Sequence, residues 1–101
     1  MTPEEWRQLG EAIVIRSGYG RRSFPARDDD AVVAHFGKDV ADTLLPVVRQ
    51  LEQEFYASEA YKLGDLAEVE RRAMQDFALK HPELSEQAVR ALGWCYTYDY
   101  K

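Results

Sequence analysis

Apolar residues recur along this chain at intervals of three and four, the spacing that lines one side of an α-helix. Trp6, Leu9 and Ile13 form the first stripe, and Thr2-Pro3-Glu4-Glu5 before them reads as an N-cap, a proline in the first turn and acids at the positive helix end. A helix over about 3–16 follows. Its end, Ala12-Ile-Val-Ile15, is rich enough in β-branched residues to leave a short strand near 12–16 as an alternative. Ser17-Gly-Tyr-Gly20 closes the element. Asp28-Asp29-Asp30 then supplies a cap and first-turn acids to a short helix with Val32, Val33 and Phe36 inward, stopped by Gly37.

From Asp39 to about Ser58, Val40, Leu44, Val47, Val48, Leu51 and Phe55 stay on one stripe across Pro46, which falls on the far side. That pattern predicts one kinked helix rather than two, because the carbonyl of Asp42 that proline leaves unbonded faces water. Asp65 caps a further helix with the stripe Leu66, Val69, Ala73 and Phe77, ended by His81-Pro82. Ser85 caps the last one.

The last helix, about 86–98, carries two apolar stripes: Val89, Leu92, Tyr96 and Tyr100 on one side, and Ala91, Trp94, Cys95 and Tyr98 nearly opposite. A helix apolar on almost all sides is central to a core, or shared between a core and a partner. Alternating aromatics leave a strand over about 94–100 as a second option. The expected fold is all-α, a compact orthogonal or bundle-like array of about five helices in a single domain over residues 1–101.

Charge adds an asymmetry. Residues 16–27 carry four arginines and no acid, and removing those four from the 13 Lys+Arg leaves 9 against 18 Asp+Glu, so the rest of the chain stands at −9. A polarised surface of this kind sets encounter rate and partner choice. The one cysteine, Cys95, excludes an internal disulfide, and nothing requires an oxidising compartment. The start lacks a basic segment followed by an apolar run, and no wholly apolar stretch is longer than the four residues of Ala12–Ile15. A cytoplasmic protein without membrane spans is the expectation.

Candidate chemistry is sparse. His35 and His81 stand at helix ends with no base–nucleophile spacing, and Cys95 sits among apolar neighbours as an inert thiol. No catalytic set, metal site or cofactor is expected, since one cysteine and two distant histidines do not make a zinc site. Asp28–Asp30 also lacks the spacing of a calcium loop. Glu70 projects into the apolar stripe of its helix, where burial raises a carboxyl pKa or an arginine partners it.

Two surfaces remain as candidate contacts. Glu52, Glu54, Glu59, Asp65, Glu68, Glu70 and Asp76 outweigh Lys62, Arg71 and Arg72 by four charges, which suits docking of a basic protein, with Trp94 and Tyr98 as aromatic anchors. Arg16, Tyr19, Arg21, Arg22 and Arg27 form a loop that either binds an anion, discriminates between partners, or pairs its arginines with Asp28–Asp30 or with the acidic helices. The acidic body makes nucleic acid an unlikely partner.

Tyr61-Lys-Leu-Gly64-Asp65-Leu66 followed by Pro82 resembles the second half of a tetratricopeptide unit. No second copy occurs, so the resemblance implies a helical hairpin and nothing more. The expected function is non-enzymatic protein binding, with a small acidic bacterial immunity protein or antitoxin that inhibits a cognate toxin as the leading form. A helical adaptor that receives a partner helix between the 65–80 and 86–98 helices is the alternative, and a phosphate-binding or nucleic-acid-binding module on the arginine loop comes third.

Overall fold

The order of the helices follows from where the chain caps them. A computed structural model describes residues 1–57 and 65–99, which form five α-helices: α1 (Pro3–Ser17), α2 (Asp29–Phe36), α3 (Lys38–Tyr56), α4 (Leu66–Lys80) and α5 (Glu86–Asp99). Thr2 and Glu5 close a reciprocal capping box at the start of α1, each side chain accepting from the other's backbone N–H at 3.1 Å. The Asp28 carboxylate accepts from the Ala31 N–H, the Asp65 carboxylate from Ala67, and the Ser85 hydroxyl from Ala88. Each of these residues satisfies a backbone donor that the first helical turn otherwise leaves unbonded.

Neither strand alternative forms: residues 12–16 lie inside α1 and 94–99 inside α5. In both segments the backbone groups bond within the helix instead of seeking a second strand. Gly18 ends α1 at φ +78°, its N–H donating to the carbonyls of Val14 and Ile15, a left-handed cap that favours glycine.

α3 runs unbroken through the exposed Pro46. Its buried arc differs from the expected stripe: Ala41, Leu44, Leu45, Val48, Leu51 and Phe55 are buried, Val47 is partly covered and Val40 is exposed. The cause is α2, which packs against α3 alongside α1 and α5 and turns the covered arc from Val40 towards Ala41 and Leu45.

α5 is the central element, packed against α1, α3 and α4. Ala88, Val89, Ala91, Leu92, Gly93, Cys95 and Tyr96 are buried along it. At the base of the core Phe55 meets Phe77 and Tyr96 edge-on, with ring centroids 5.2 and 5.7 Å apart, and Tyr56 meets Tyr96 at 5.3 Å. Edge-to-face geometry of this kind adds about 0.5–1.5 kcal/mol per pair beyond burial. Among the described residues Trp94 and Tyr98 lie on an incompletely covered flank of α5, together with the exposed Glu86, Gln87 and Arg90. No helix of the described residues is long and apolar enough to cross a membrane.

Candidate functional site

The chain between α1 and α2 folds back over the end of α1. Arg21 and Arg22 N–H groups donate to the Gly18 carbonyl, Ala26 N–H to Ser17, and Asp28 N–H to Arg16, all within 3.0 Å. These bonds fix a loop that carries three of the four arginines together with Tyr19 and Phe24.

Most of the arginines meet carboxylates inside the molecule. Arg16, only 7% exposed, donates to Asp29 at 2.7 Å and to Glu52 at 2.9 Å. Arg27 donates to Glu52 at 2.9 Å and to Asp99 at 3.0 Å, and Arg22 pairs with Asp28 at 3.3 Å. Arg49 of α3 adds a bond to the second oxygen of Asp29. The Tyr56 hydroxyl donates to Asp99 at 2.6 Å. Burial and that bond together raise the Tyr56 pKa above its usual value, while Asp99 lies below its own because Tyr56 and Arg27 outweigh the opposing effect of burial. Among the described residues Arg21 is the loop arginine with no ion pair.

This arrangement places Arg16 and Glu52 away from the surfaces to which the sequence assigned them. Arg16 belongs to the interior, not to an open anion loop, and Glu52 faces the arginines, not an acidic docking surface. The same holds in milder form along α4. Asp65 is a helix cap, Glu68 pairs with Arg71, Asp76 pairs with Arg72, and Glu54 bonds His81 at 2.8 Å. Glu59 lies outside the described residues. Pairing of the loop arginines with Asp28–Asp30 and with the acidic helices was read from sequence and is found at Asp28, Asp29 and Glu52, whereas Arg49, Tyr56 and Asp99 were not read as members of the network.

The same loop carries aromatic residues. Tyr19 packs on Trp94 with ring centroids 5.7 Å apart, Phe24 is 54% exposed, and Tyr98 is 47% exposed one turn beyond Trp94. Ser23, Glu70, Trp94, Thr97 and Tyr98 line a cavity of about 170 Å³. Glu70 is partly buried there and accepts from the Thr97 hydroxyl at 2.8 Å. A second opening of about 330 Å³ lies between α4 and α5, lined by Met74, Ala78, Pro82, Leu84 and Val89 among others.

Cys95 is buried, and burial, helped by the nearby Glu52 charge, pushes its thiol up to about 11, so it stays protonated and unreactive at neutral pH. Among the described residues no group of three or more His, Cys, Asp or Glu is arranged to hold a metal ion. No protein-family model, curated protein or solved structure matches this chain.

Proposed function

We propose that this chain is a non-enzymatic protein-binding domain whose contact surface is the aromatic patch formed by Phe24 of the loop and Trp94 and Tyr98 of α5. The observation that carries this reading is the exposure of Tyr98 beside a half-covered Trp94 on the central helix, with Phe24 exposed on the loop whose Ser23 lines the same cavity. Tryptophan and tyrosine are the side chains most enriched among residues that dominate binding energy, because each covers a large area with few rotatable bonds. Tyr19 holds Trp94 from behind, which reduces the ordering cost of binding.

In its finer form the partner is a basic toxin and the chain its immunity protein or antitoxin. The net charge of −5 supports that form by favouring encounter with a basic surface. Attraction then comes from the overall excess of acid, since the carboxylates at positions 52, 54, 68 and 76 already face internal cations or a histidine. Purification of the tagged chain from its native host at low salt, followed by stepwise salt, tests the reading. A single basic partner is expected, lost from Tyr98→Ala and Phe24→Ala variants that keep their helical circular dichroism, and harmful to cells when expressed without this chain. A partner held equally by both variants, or none at any salt, overturns it.

The opening between α4 and α5 supports a second reading, an adaptor that receives an apolar partner helix there against Met74, Ala78, Leu84 and Val89. That partner would be insensitive to salt and would be lost on Met74→Glu instead.

A further inference from the structure

We infer that the cavity between Ser23, Glu70, Trp94, Thr97 and Tyr98 receives the cationic end of one lysine or arginine side chain from the partner protein, an inference that rests on the aromatic patch being the contact surface.

The charge argument starts on α4. Of its three carboxylates, Glu68 has Arg71 and Asp76 has Arg72, while Glu70 has no cation at ion-pair distance among the described residues. The Thr97 hydroxyl also lies 2.8 Å from the Gly93 carbonyl, and its single hydrogen has to serve both oxygens. Glu70 therefore keeps acceptor capacity that no cation among the described residues takes up. Three cations of the loop are committed elsewhere, Arg22 to Asp28, Arg27 to Glu52 and Asp99, and Arg16 to Asp29 and Glu52, and Arg21 forms no ion pair with Glu70.

The walls argue for the same occupant. Trp94 and Tyr98 are one helical turn apart and supply aromatic faces, which attract a cation placed within about 6 Å of the ring centre. A carboxylate beside aromatic rings selects a positive group over a neutral apolar one. Size excludes larger ligands, since about 170 Å³ is well below the roughly 300–1,000 Å³ of sites for drug-sized molecules. Gly93 lets Met74 of α4 lie where a Cβ would otherwise stand, 2.6 Å from its Sδ, and Glu70 Cγ lies in ordinary contact range of the same position at 3.5 Å.

The test follows the Trp94 indole N–H of the full chain by NMR during titration with N-acetyl-arginine amide, N-acetyl-lysine amide and neutral N-acetyl-glutamine amide, with the Trp6 indole as reference. Saturable shifts at Trp94 with the two cationic probes are expected, at least tenfold weaker with the glutamine amide and at least tenfold weaker again in Glu70→Gln. Thr97→Val, which leaves the carboxylate in place, is expected to retain binding and guards against a fold defect in Glu70→Gln. No saturable shift, equal response to the neutral amide, or full binding by a folded Glu70→Gln overturns the inference. If the probes fail while Tyr98→Ala still abolishes partner capture, the cation pocket falls and the contact surface stands. Binding of the probes with no partner captured at any salt has the opposite meaning.

Discussion

The guanidinium of Arg27 lies 3.0 Å from the carboxylate of Asp99, joining residues 72 positions apart in the chain. With Tyr56 bonded to the same carboxylate oxygen, this contact ties the loop, the end of α3 and the end of α5 together at one point. Both partners are partly solvated, so the pair is worth little alone, yet it belongs to a network. A double-mutant cycle of Arg27→Ala and Asp99→Ala is expected to give a coupling of about 0.5–1 kcal/mol in urea unfolding, falling towards zero in 1 M salt. Coupling unchanged by salt would mean that packing against Tyr56, not charge, holds the two ends.

Arg16 is a stronger case because its side chain is only 8% exposed. Arg16→Ala leaves Asp29 and Glu52 without their shared cation in a partly desolvated place, and a loss of about 2–3 kcal/mol is expected, below the roughly 3–5 kcal/mol of fully buried pairs because Asp29 remains in contact with water. Arg16→Lys should restore less than half of that, since an ammonium cannot reach two carboxylates with a planar fork. Full rescue by lysine, measured by the same urea titration, would show that charge alone suffices.

Asp29 and Asp99 set an acid limit to stability. Burial raises both, but the arginine bonds to Asp29, and the Tyr56 and Arg27 bonds to Asp99, leave each below its ordinary value of 3.8. A carboxyl with a depressed folded pKa contributes stability above its unfolded pKa, about 3.9, and loses it as pH falls through the folded value. The urea midpoint is therefore expected to be flat from pH 7 to 5 and to drop below pH 4. Glu4, held low by Arg7, and Glu5, held low by Thr2, add to that slope. Asp29→Asn with Asp99→Asn should flatten the slope without abolishing it, and an unchanged profile would remove these two groups from the account.

The helices were legible because pattern and punctuation agree: Thr2, Asp28, Asp65 and Ser85 each precede an apolar repeat of period near 3.6, and each caps a helix. Val40 and Leu45 were misplaced because one helix read alone gives the direction of its stripe but not how far a neighbour such as α2 widens it. The arginine network was less legible still. Composition says that Arg16 requires an acid, but the acids it finds lie 13 and 36 residues away, and only tertiary packing selects them from the eighteen available. That Trp94 and Tyr98 share one side of α5 was readable from helical spacing, whereas the packing of Tyr19 on Trp94 and the place of Ser23 beside them depended on how the loop folds back.

Cys95 offers a direct probe of whether α5 is central. Its thiol is buried and held at about 11, so both access and ionisation oppose alkylation. Iodoacetamide at pH 8 is expected to label the folded chain at least a hundredfold more slowly than the chain in 6 M urea. Comparable rates would mean that the end of α5 opens readily and that Trp94 and Tyr98 do not sit on a fixed platform.

Gly93 decides how closely α4 and α5 approach. A Cβ at this position would stand 2.6 Å from Met74 Sδ and 2.9 Å from its Cγ, so Gly93→Ala forces Met74 to move. Overpacking of this sort costs about 1–3 kcal/mol, and the gain in helix propensity offsets about 1 kcal/mol of it. A net loss of about 1 kcal/mol is expected in an otherwise unchanged chain. In a Met74→Ala background the clash disappears and only the propensity gain remains, so the same substitution should become stabilising by up to about 1 kcal/mol. The change of sign is the diagnostic result, because a cost that is equal in both backgrounds would place the constraint on the helix backbones and not on the methionine.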